Sequence, residues 1–404
     1  MPDTLKPRDP KDLEEAVRFA LTHGKSLEVV GQGSKRAIGR PSQTDLTIDL
    51  SDLCGVTLYE PEELVLSAKA GTPLADIETL LDANNQCLGF EPMDYGPVFG
   101  SEPGRGTIGG VIAGNLSGPR RLKAGAPRDH FLGVTAVTGR GDTIKSGGRV
   151  VKNVTGYDLC KLLAGSWGTL AAMTDITIKV LPKAETESTV VVSGLDDARA
   201  SAAMAAAMGS PFDVSAAAHL PDHVASWFAG LPNSEAATVL RIDGFAPSVK
   251  HRKEGLGALM RPFGPVAILD AEDSRVLWRD VRDVKPFAID PARDRPLWRI
   301  STAPRRGHEI ADLITPAAQM YYDWAGGLVW VAMPIPEESN AASIRRAVAE
   351  VGGHATLVRA PTAVRAAVDV FEPEAPGVGA LSKRLKESFD PKGILNPGRI
   401  RAGV

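Results

Sequence analysis

Apolar residues near the start of the chain change their spacing in a way that predicts a helix followed by a strand. Leu13, Ala16, Val17, Ala20 and Leu21 fall on one helical face. Asp9 can cap that helix, Pro10 suits its first position, and Gly24 ends it. Residues 26–30 then read as a strand running straight into Gly31-Gln32-Gly33-Ser34-Lys35. Strand patterns follow at 46–50 and 64–70, and Thr72-Pro73 opens a helix carrying Leu74, Ile77, Leu80 and Leu81. Residues 86–126 are rich in glycine and proline, which predicts loop with one short helix. Strands resume at 133–138 and 176–181.

After Pro182 the pattern shifts. Residues 184–375 are alanine-rich, alternate apolar strands with amphipathic helices, and lack the glycine density of the first part. They predict a second α+β domain. In the last stretch Leu381, Leu385 and Phe389 make a short helical stripe, followed by Asp390-Pro391-Lys392-Gly393-Ile394-Leu395-Asn396-Pro397-Gly398-Arg399. The expected organisation is therefore residues 1–183, residues 184–375 and a tail, 376–404, in an α+β chain.

Composition narrows the function classes. The 46 basic and 49 acidic residues nearly cancel, leaving no electrostatic footprint for nucleic acid. Cys54, Cys87 and Cys160 form no C-x-x-C pair, which argues against a zinc site or an iron–sulfur cluster held by this chain alone. Sparse, odd cysteines fit a reducing compartment. The first residues lack an apolar signal core, and no uncharged apolar run reaches the ~18 residues of a membrane span. The chain is expected to be cytoplasmic.

Three glycine-rich segments carry the candidate chemistry. Gly31-Gln32-Gly33-Ser34-Lys35 follows a strand, where glycines turn the backbone and present N–H groups to an anion. It lacks both the Walker and the Rossmann spacing, and taken alone it reads first as a plain tight turn. Thr107-Ile108-Gly109-Gly110-Val111-Ile112-Ala113-Gly114-Asn115-Leu116-Ser117-Gly118-Pro119-Arg120-Arg121 leaves little side chain on the backbone. That permits close approach by a planar or phosphorylated ligand, and the helix start would favour a pyrophosphate; close helix–strand packing is the alternative. The third runs through Lys152-Asn153-Val154-Thr155-Gly156-Tyr157-Asp158-Leu159 and Gly165-Ser166-Trp167-Gly168-Thr169-Leu170, and taken alone it reads equally as an ordinary αβ connection.

Together these segments resemble the vanillyl-alcohol-oxidase-type (PCMH-type) FAD-linked oxidase family, over roughly residues 9–183 and 380–400. The resemblance implies a two-domain fold with an α+β cap domain and FAD as cofactor. It places the pyrophosphate at Gly31, Gln32, Gly33, Ser34, Lys35, Thr107, Ile108, Gly109, Gly110, Gly114, Asn115, Ser117, Gly118 and Arg121. Gly156, Tyr157, Asp158, Gly165, Gly168 and Thr169 would line the adenine and isoalloxazine regions. The ending Asn396-Pro397-Gly398-Arg399 is similar to the N-P-G-[KR] tail that returns to the flavin domain in this family. Several of these segments, with Trp298-Arg299-Ile300-Ser301, Asp323-Trp324-Ala325-Gly326-Gly327 and Gly352-Gly353-His354, resemble the FAD-binding subunits of bacterial glycolate oxidases. Such subunits imply a small 2-hydroxy acid as substrate and two partners, a catalytic FAD-bearing subunit and an iron–sulfur subunit. They also imply a location in the cytoplasm or at the periphery of the inner membrane through the complex.

Departures from the family pattern sharpen the expectation. No histidine lies in the first loop, so FAD should be held non-covalently. The H-x-G-D-G-N and E-H-G motifs of the family's hydroxy-acid dehydrogenases are absent, and Trp167 stands where they often have an acidic residue. Both argue against independent 2-hydroxy-acid oxidation, and the alternatives are a non-catalytic structural subunit that stabilises a catalytic flavoprotein partner, or a stand-alone FAD-dependent hydroxy-acid dehydrogenase. Arg299 is the best candidate for a bidentate carboxylate ligand and His354 for a base, against plainer roles as an ion pair and a structural histidine. Trp324 and Trp330 could line the flavin face or sit in the core. His219 and His223 have helical ligand spacing, but Pro221 argues against the helix and no metal is expected.

Overall fold

The computed structural model describes residues 3–150, 156–231, 235–288, 295–334 and 340–402. The N-terminal helix forms at Pro10–Thr22, where the Asp9 carboxylate accepts hydrogen bonds from the Lys11 and Asp12 backbone N–H groups. Its buried face is Leu13, Val17 and Ala20. It lies over a parallel three-stranded sheet ordered Asp3–Leu5, Leu46–Asp49, Leu27–Val30. Beside it stands an antiparallel five-stranded sheet ordered Val56–Glu60, Val65–Lys69, Ala171–Lys179, Phe131–Thr138, Thr143–Gly147. Leu74, Ile77 and Leu81 of one helix, with Ile108, Val111 and Ile112 of the short helix Ile108–Gly114, close the core on that sheet.

Among the strands that depart from the sequence pattern, two do so for opposite reasons. Thr143–Gly147 is an edge strand whose residues are all exposed or half-exposed, so no apolar alternation marks it. Ala171–Lys179 begins well before the predicted start because Ala171, Ala172 and Met173 are buried in succession, which gives a continuous apolar run.

Residues 186–359 supply an eight-stranded sheet, ordered Val266–Leu269, Thr186–Ser193, Ala237–Gly244, Ala216–Leu220, Gln319–Asp323, Leu328–Ala332, Leu297–Ser301, His354–Arg359, in which every described pairing is antiparallel. One face packs its own helices. The other meets Ile38, Met93, Tyr95, Val98 and Leu116 of the glycine-rich part in a shared apolar core.

The tail corrects an expectation. Its helix spans Pro376–Phe389, but Leu381 is 49 % exposed and the buried residue is Lys386. The Lys386 ammonium donates to the Thr169 carbonyl (2.7 Å), the Leu395 carbonyl (2.9 Å) and Asp390 (2.7 Å). With all three donors used and one partner charged, the buried cation is compensated. Asn396 then joins the tail to the first strand. Its N–H donates to the Leu27 carbonyl, its Oδ1 accepts from the Val29 N–H, and its Nδ2 donates to the Trp167 carbonyl.

Among the described residues no helix is long and apolar enough to cross a membrane.

Candidate functional site

The strand Leu27–Val30 delivers the first glycine loop into a narrow cleft against the second. Gly33 needs its positive φ of 79°, and a Cβ on Gly31 would lie 2.6 Å from Thr107 Oγ1. Thr107 caps the helix Ile108–Gly114 by accepting from the Gly110 N–H (3.2 Å). On Gly110 a Cβ would sit 3.1 Å from Lys35 Cε. The two loops are thus as close as their missing side chains allow.

Lys35 and Arg399 place two cations in this cleft. The Lys35 ammonium donates to Ser34 Oγ (3.1 Å) and, among the described residues, has no carboxylate within 4.0 Å. Burial pushes its pKa down to about 8, against a pull upward from Asp94. Arg399, at the end of the tail, donates to the Lys35 carbonyl (3.0 Å) and leaves its buried Nε without a partner. Burial lowers its pKa to about 10. Its guanidinium lies 5.6 Å from the Trp167 ring centroid. A buried cation without a counter-charge is costly. A pyrophosphate would supply the missing negative charge, so these residues fit the phosphate end of a dinucleotide. The helix Ile108–Gly114 is a single short piece whose Gly110 N–H is already capped, so the cations, rather than the helix end, mark the anion position.

Trp167 lines this cleft and also a second cavity of ≈ 270 Å³ between the two halves of the molecule. Strand periodicity builds the far wall. In Leu297–Ser301, Trp298 and Ile300 point into the core, so Arg299 and Ser301 face the cavity. In the neighbouring strand Ala355 and Leu357 are core, and His354 and Thr356 face the same way. Pairing sets Arg299 beside Thr356 and Ser301 beside His354.

Trp324 forms the floor. Its φ of 52° and that of Ala325, 54°, are left-handed, held by the Asp323 carboxylate accepting from the Trp324 N–H (2.7 Å) and by Trp324 Nε1 donating to the Gly118 carbonyl (2.9 Å). Arg299 stands 4.8 Å and Arg121 5.2 Å from the Trp324 ring centroid. His354 is at the exposed mouth. Desolvation first, and then the charge of Arg299, lower its pKa from the usual 6.5, so it is neutral at pH 7 and able to accept a proton. Buried Tyr95 is pushed up to about 12 and stays a phenol.

Of the sequence candidates, Gly31, Gln32, Gly33, Ser34, Lys35, Thr107, Gly109, Gly110 and Gly168 line the cleft. Gly114, Asn115, Arg121, Gly165, Arg299 and His354 line the second cavity. Seven positions do not join them. Ile108 is fully buried beneath its helix. Gly118 is packed on Glu91, where a Cβ would meet the carbonyl at 2.2 Å, and Ser117 accepts from Arg121. Thr169 turns to the Ser166 carbonyl, and its own carbonyl accepts from Lys386. Gly156, Tyr157 and Asp158 are exposed, Tyr157 by 92 %, and Asp158 caps the helix Leu159–Leu163. Lys152, Asn153, Val154 and Thr155 of the same segment lie outside the described residues.

Other readings also resolve. Arg299 makes no ion pair among the described residues, whereas Trp298 is core. Trp330 is core at 3 % exposure, and Trp324 lines the cavity. His219 is on a strand and His223 on the following turn of helix, so they share no helical face. No group of three or more metal-binding side chains occurs among the described residues. Trp167, Arg399 and Tyr95 were missed as site residues. The first two stood inside segments already marked by glycine, at the positions where a side chain must fill what the glycines leave open.

Asp323 gives a pH test of this floor. Burial pushes its carboxyl up to about 7. Its folded pKa therefore exceeds the ordinary carboxylate value of about 4, so stability is full below that value and declines as pH rises toward 7. Asp323→Asn should flatten this decline. Urea midpoints at pH 5 and pH 8 check it: the wild type should drop more between them than the variant, and equal drops would refute the assignment.

Residues 4–147 match the family model described as an FAD binding domain. Fold and site together define the class: an FAD-binding oxidoreductase of the vanillyl-alcohol-oxidase type. In fold the chain is similar to 4-ethylphenol oxidase from Gulosibacter chungangensis, with a TM-score of 0.72, 13 % identity, and coverage of 99 % of this chain and 89 % of that one. In sequence it is 32 % identical to glycolate oxidase subunit GlcE of Escherichia coli (strain K12), over 96 % of this chain and 97 % of that protein. It is 26 % identical to glycolate oxidase subunit GlcD of Bacillus subtilis (strain 168), over 100 % of this chain and 89 % of that one. The chain belongs to the family of the glycolate oxidase subunit GlcE.

The residues of the first loop that face the cleft are glycine, Gln32, Ser34 and Lys35, none of which forms the usual histidyl link to flavin. Acid precipitation should therefore release all the flavin into the supernatant. A fluorescent flavin band on a denaturing gel would refute non-covalent attachment.

Proposed function

We propose that this chain is the FAD-bearing subunit of a multi-subunit complex of the glycolate oxidase type, oxidising a 2-hydroxy acid at its CH–OH carbon and passing the electrons onward. In this reading residues 1–183 and the tail 376–404 hold FAD, residues 184–375 cap it, and the partners are a second FAD-bearing subunit and an iron–sulfur subunit. The observation that supports it is the continuity of two sites through Trp167: an uncompensated cationic cleft on one side, and a cavity with Arg299 and His354 on the other.

Lys35 and Arg399 hold the pyrophosphate, and Gly31 and Gly110 give it room. Bound FAD supplies the two-electron acceptor. Arg299 binds the substrate carboxylate, with Trp324 stacked against it to fix its plane. Neutral His354 takes the hydroxyl proton. The apolar core shared by the two halves keeps bulk water from the cavity's closed end.

Purification of the native complex tests the reading. Other polypeptides should travel with this chain, one of them carrying an iron–sulfur chromophore, and flavin should be present on this chain itself. In a dye-linked assay the complex should turn over glycolate far faster than the isolated FAD-loaded chain. A monomeric, fully active chain would refute the multi-subunit reading.

A further inference from the structure

The cavity holds one more cation than a single carboxylate requires. Arg299 and Arg121 approach the same Trp324 ring from two different segments, one in the eight-stranded sheet and one following the second glycine loop. The Arg121 side chain has one described hydrogen bond, from Nη1 to Ser117 Oγ (3.2 Å), and the Arg299 side chain has none. Neither has a carboxylate within 4.0 Å among the described residues. Both guanidiniums line the cavity and both lower the pKa of His354, which places the positive field at the mouth where a ligand enters.

The acidic groups nearby are committed elsewhere. Glu91 pairs with Arg241 (2.9 Å) and accepts the Arg120 N–H (3.0 Å). Asp243 pairs with Arg120 (3.3 Å). Glu372 pairs with Arg345. Asp323 is turned to the Trp324 backbone. Arg120, Arg241 and Arg345 are thus paired with these carboxylates, while Arg299 and Arg121 stay open to the cavity. Bidentate guanidinium–carboxylate geometry uses one arginine per carboxylate.

We infer that this cavity takes a doubly anionic 2-hydroxy acid, with one carboxylate on Arg299 and a second anionic group on Arg121. The inference rests on the proposed oxidase reading and narrows its substrate class. A singly charged acid such as glycolate engages half of the site.

The experiment uses the full-length FAD-loaded protein and two non-oxidisable probes at matched ionic strength, malonate and acetate. Binding is read from quenching of tryptophan fluorescence and from the flavin difference spectrum. Malonate should bind at least about tenfold more tightly than acetate, the factor expected for one added charge-assisted hydrogen-bonding pair. Arg121→Gln should bring the malonate-to-acetate ratio close to one, and Arg121→Lys should restore part of it by keeping the charge. Arg299→Gln should weaken both probes. A wild-type ratio near one overturns the inference. So does an Arg121→Gln variant that keeps the ratio and shifts the flavin reduction potential instead, because Arg121 would then serve the flavin. Turnover separates the two readings. If malonate is preferred but no 2-hydroxy acid reduces the flavin, the oxidase reading fails and the dianion site stands. If glycolate is oxidised and malonate is not preferred, the inference alone fails.

Discussion

Gly110→Val should yield a folded protein that has lost its flavin. Gly110 lies in the short helix of the second loop, where an added Cβ would sit 3.1 Å from Lys35 Cε, 3.2 Å from Thr107 Oγ1 and 3.3 Å from Lys35 Nζ. Valine adds two further carbons beyond that Cβ. Thr107 cannot retreat without breaking its cap on the Gly110 N–H. Lys35 can move, but only by withdrawing its ammonium from the position proposed for the pyrophosphate. Forcing extra methyl groups into a packed site costs about 1–3 kcal/mol. At 1.4 kcal/mol per decade that is roughly a five- to hundredfold loss in affinity before the displaced Lys35 charge is counted. The fold itself is secured elsewhere: Val111 and Ile112 point into the core on the other side of the helix. The check is flavin-to-protein absorbance after purification, alongside far-UV circular dichroism. A variant with native dichroism and full flavin occupancy would show that the cofactor lies elsewhere.

The parts of the fold that were legible in the sequence are those with one buried face. The first helix shows its apolar stripe, its Asp9 cap and its Pro10 start, and all three are used. The edge strands Val56–Glu60 and Thr143–Gly147 bury too little to leave a pattern. The tail helix misled for a more particular reason. Its apolar residues at 381, 385 and 389 are spaced as a core stripe, yet the buried residue is Lys386, held by Asp390 one turn on, by the Leu395 carbonyl and by the Thr169 carbonyl far away in sequence. The four-residue spacing of Lys386 and Asp390 is local and reads as a surface ion pair; its burial and its Thr169 partner come from tertiary structure.

The site divides in the same way. Glycines mark the places where backbones meet, so the first two loops were readable. They do not show which side chains fill the space between, so Trp167 and Arg399 were not identified as lining it. Gly118 and Gly156 show the limit of the glycine signal: one serves close packing on Glu91 and the other an exposed turn. Arg299 was reachable through its neighbour. Trp298 in a strand is core, and the next residue of a strand points to the opposite face. What could not be read was that this face meets Tyr95 and Arg121 across the cavity, from parts of the chain far away in sequence.

Removing the imidazole of His354 should slow substrate oxidation by this chain's flavin by about 10²–10⁴-fold, the usual contribution of a general base. The wild-type profile should carry a single rising limb whose midpoint lies below pH 6.5, because desolvation and the Arg299 charge favour the neutral ring. Below that midpoint the ring is protonated and cannot accept the hydroxyl proton. Above it the rate is level. His354→Gln keeps a polar side chain at the exposed mouth and leaves Arg299 in place, so binding of malonate should persist while the rising limb disappears. The measurement is single-turnover bleaching of the flavin under anaerobic conditions, from pH 5 to 8, with the 2-hydroxy acid that reduces the wild type fastest. Arg299→Gln is the contrasting variant: its loss should fall mainly on substrate affinity, and its rising limb should persist with the midpoint moved upward, since the cation that most depresses the His354 pKa is gone. If His354→Gln retains both the wild-type rate and the rising limb, the proton is taken by another group and His354 is only a wall of the cavity.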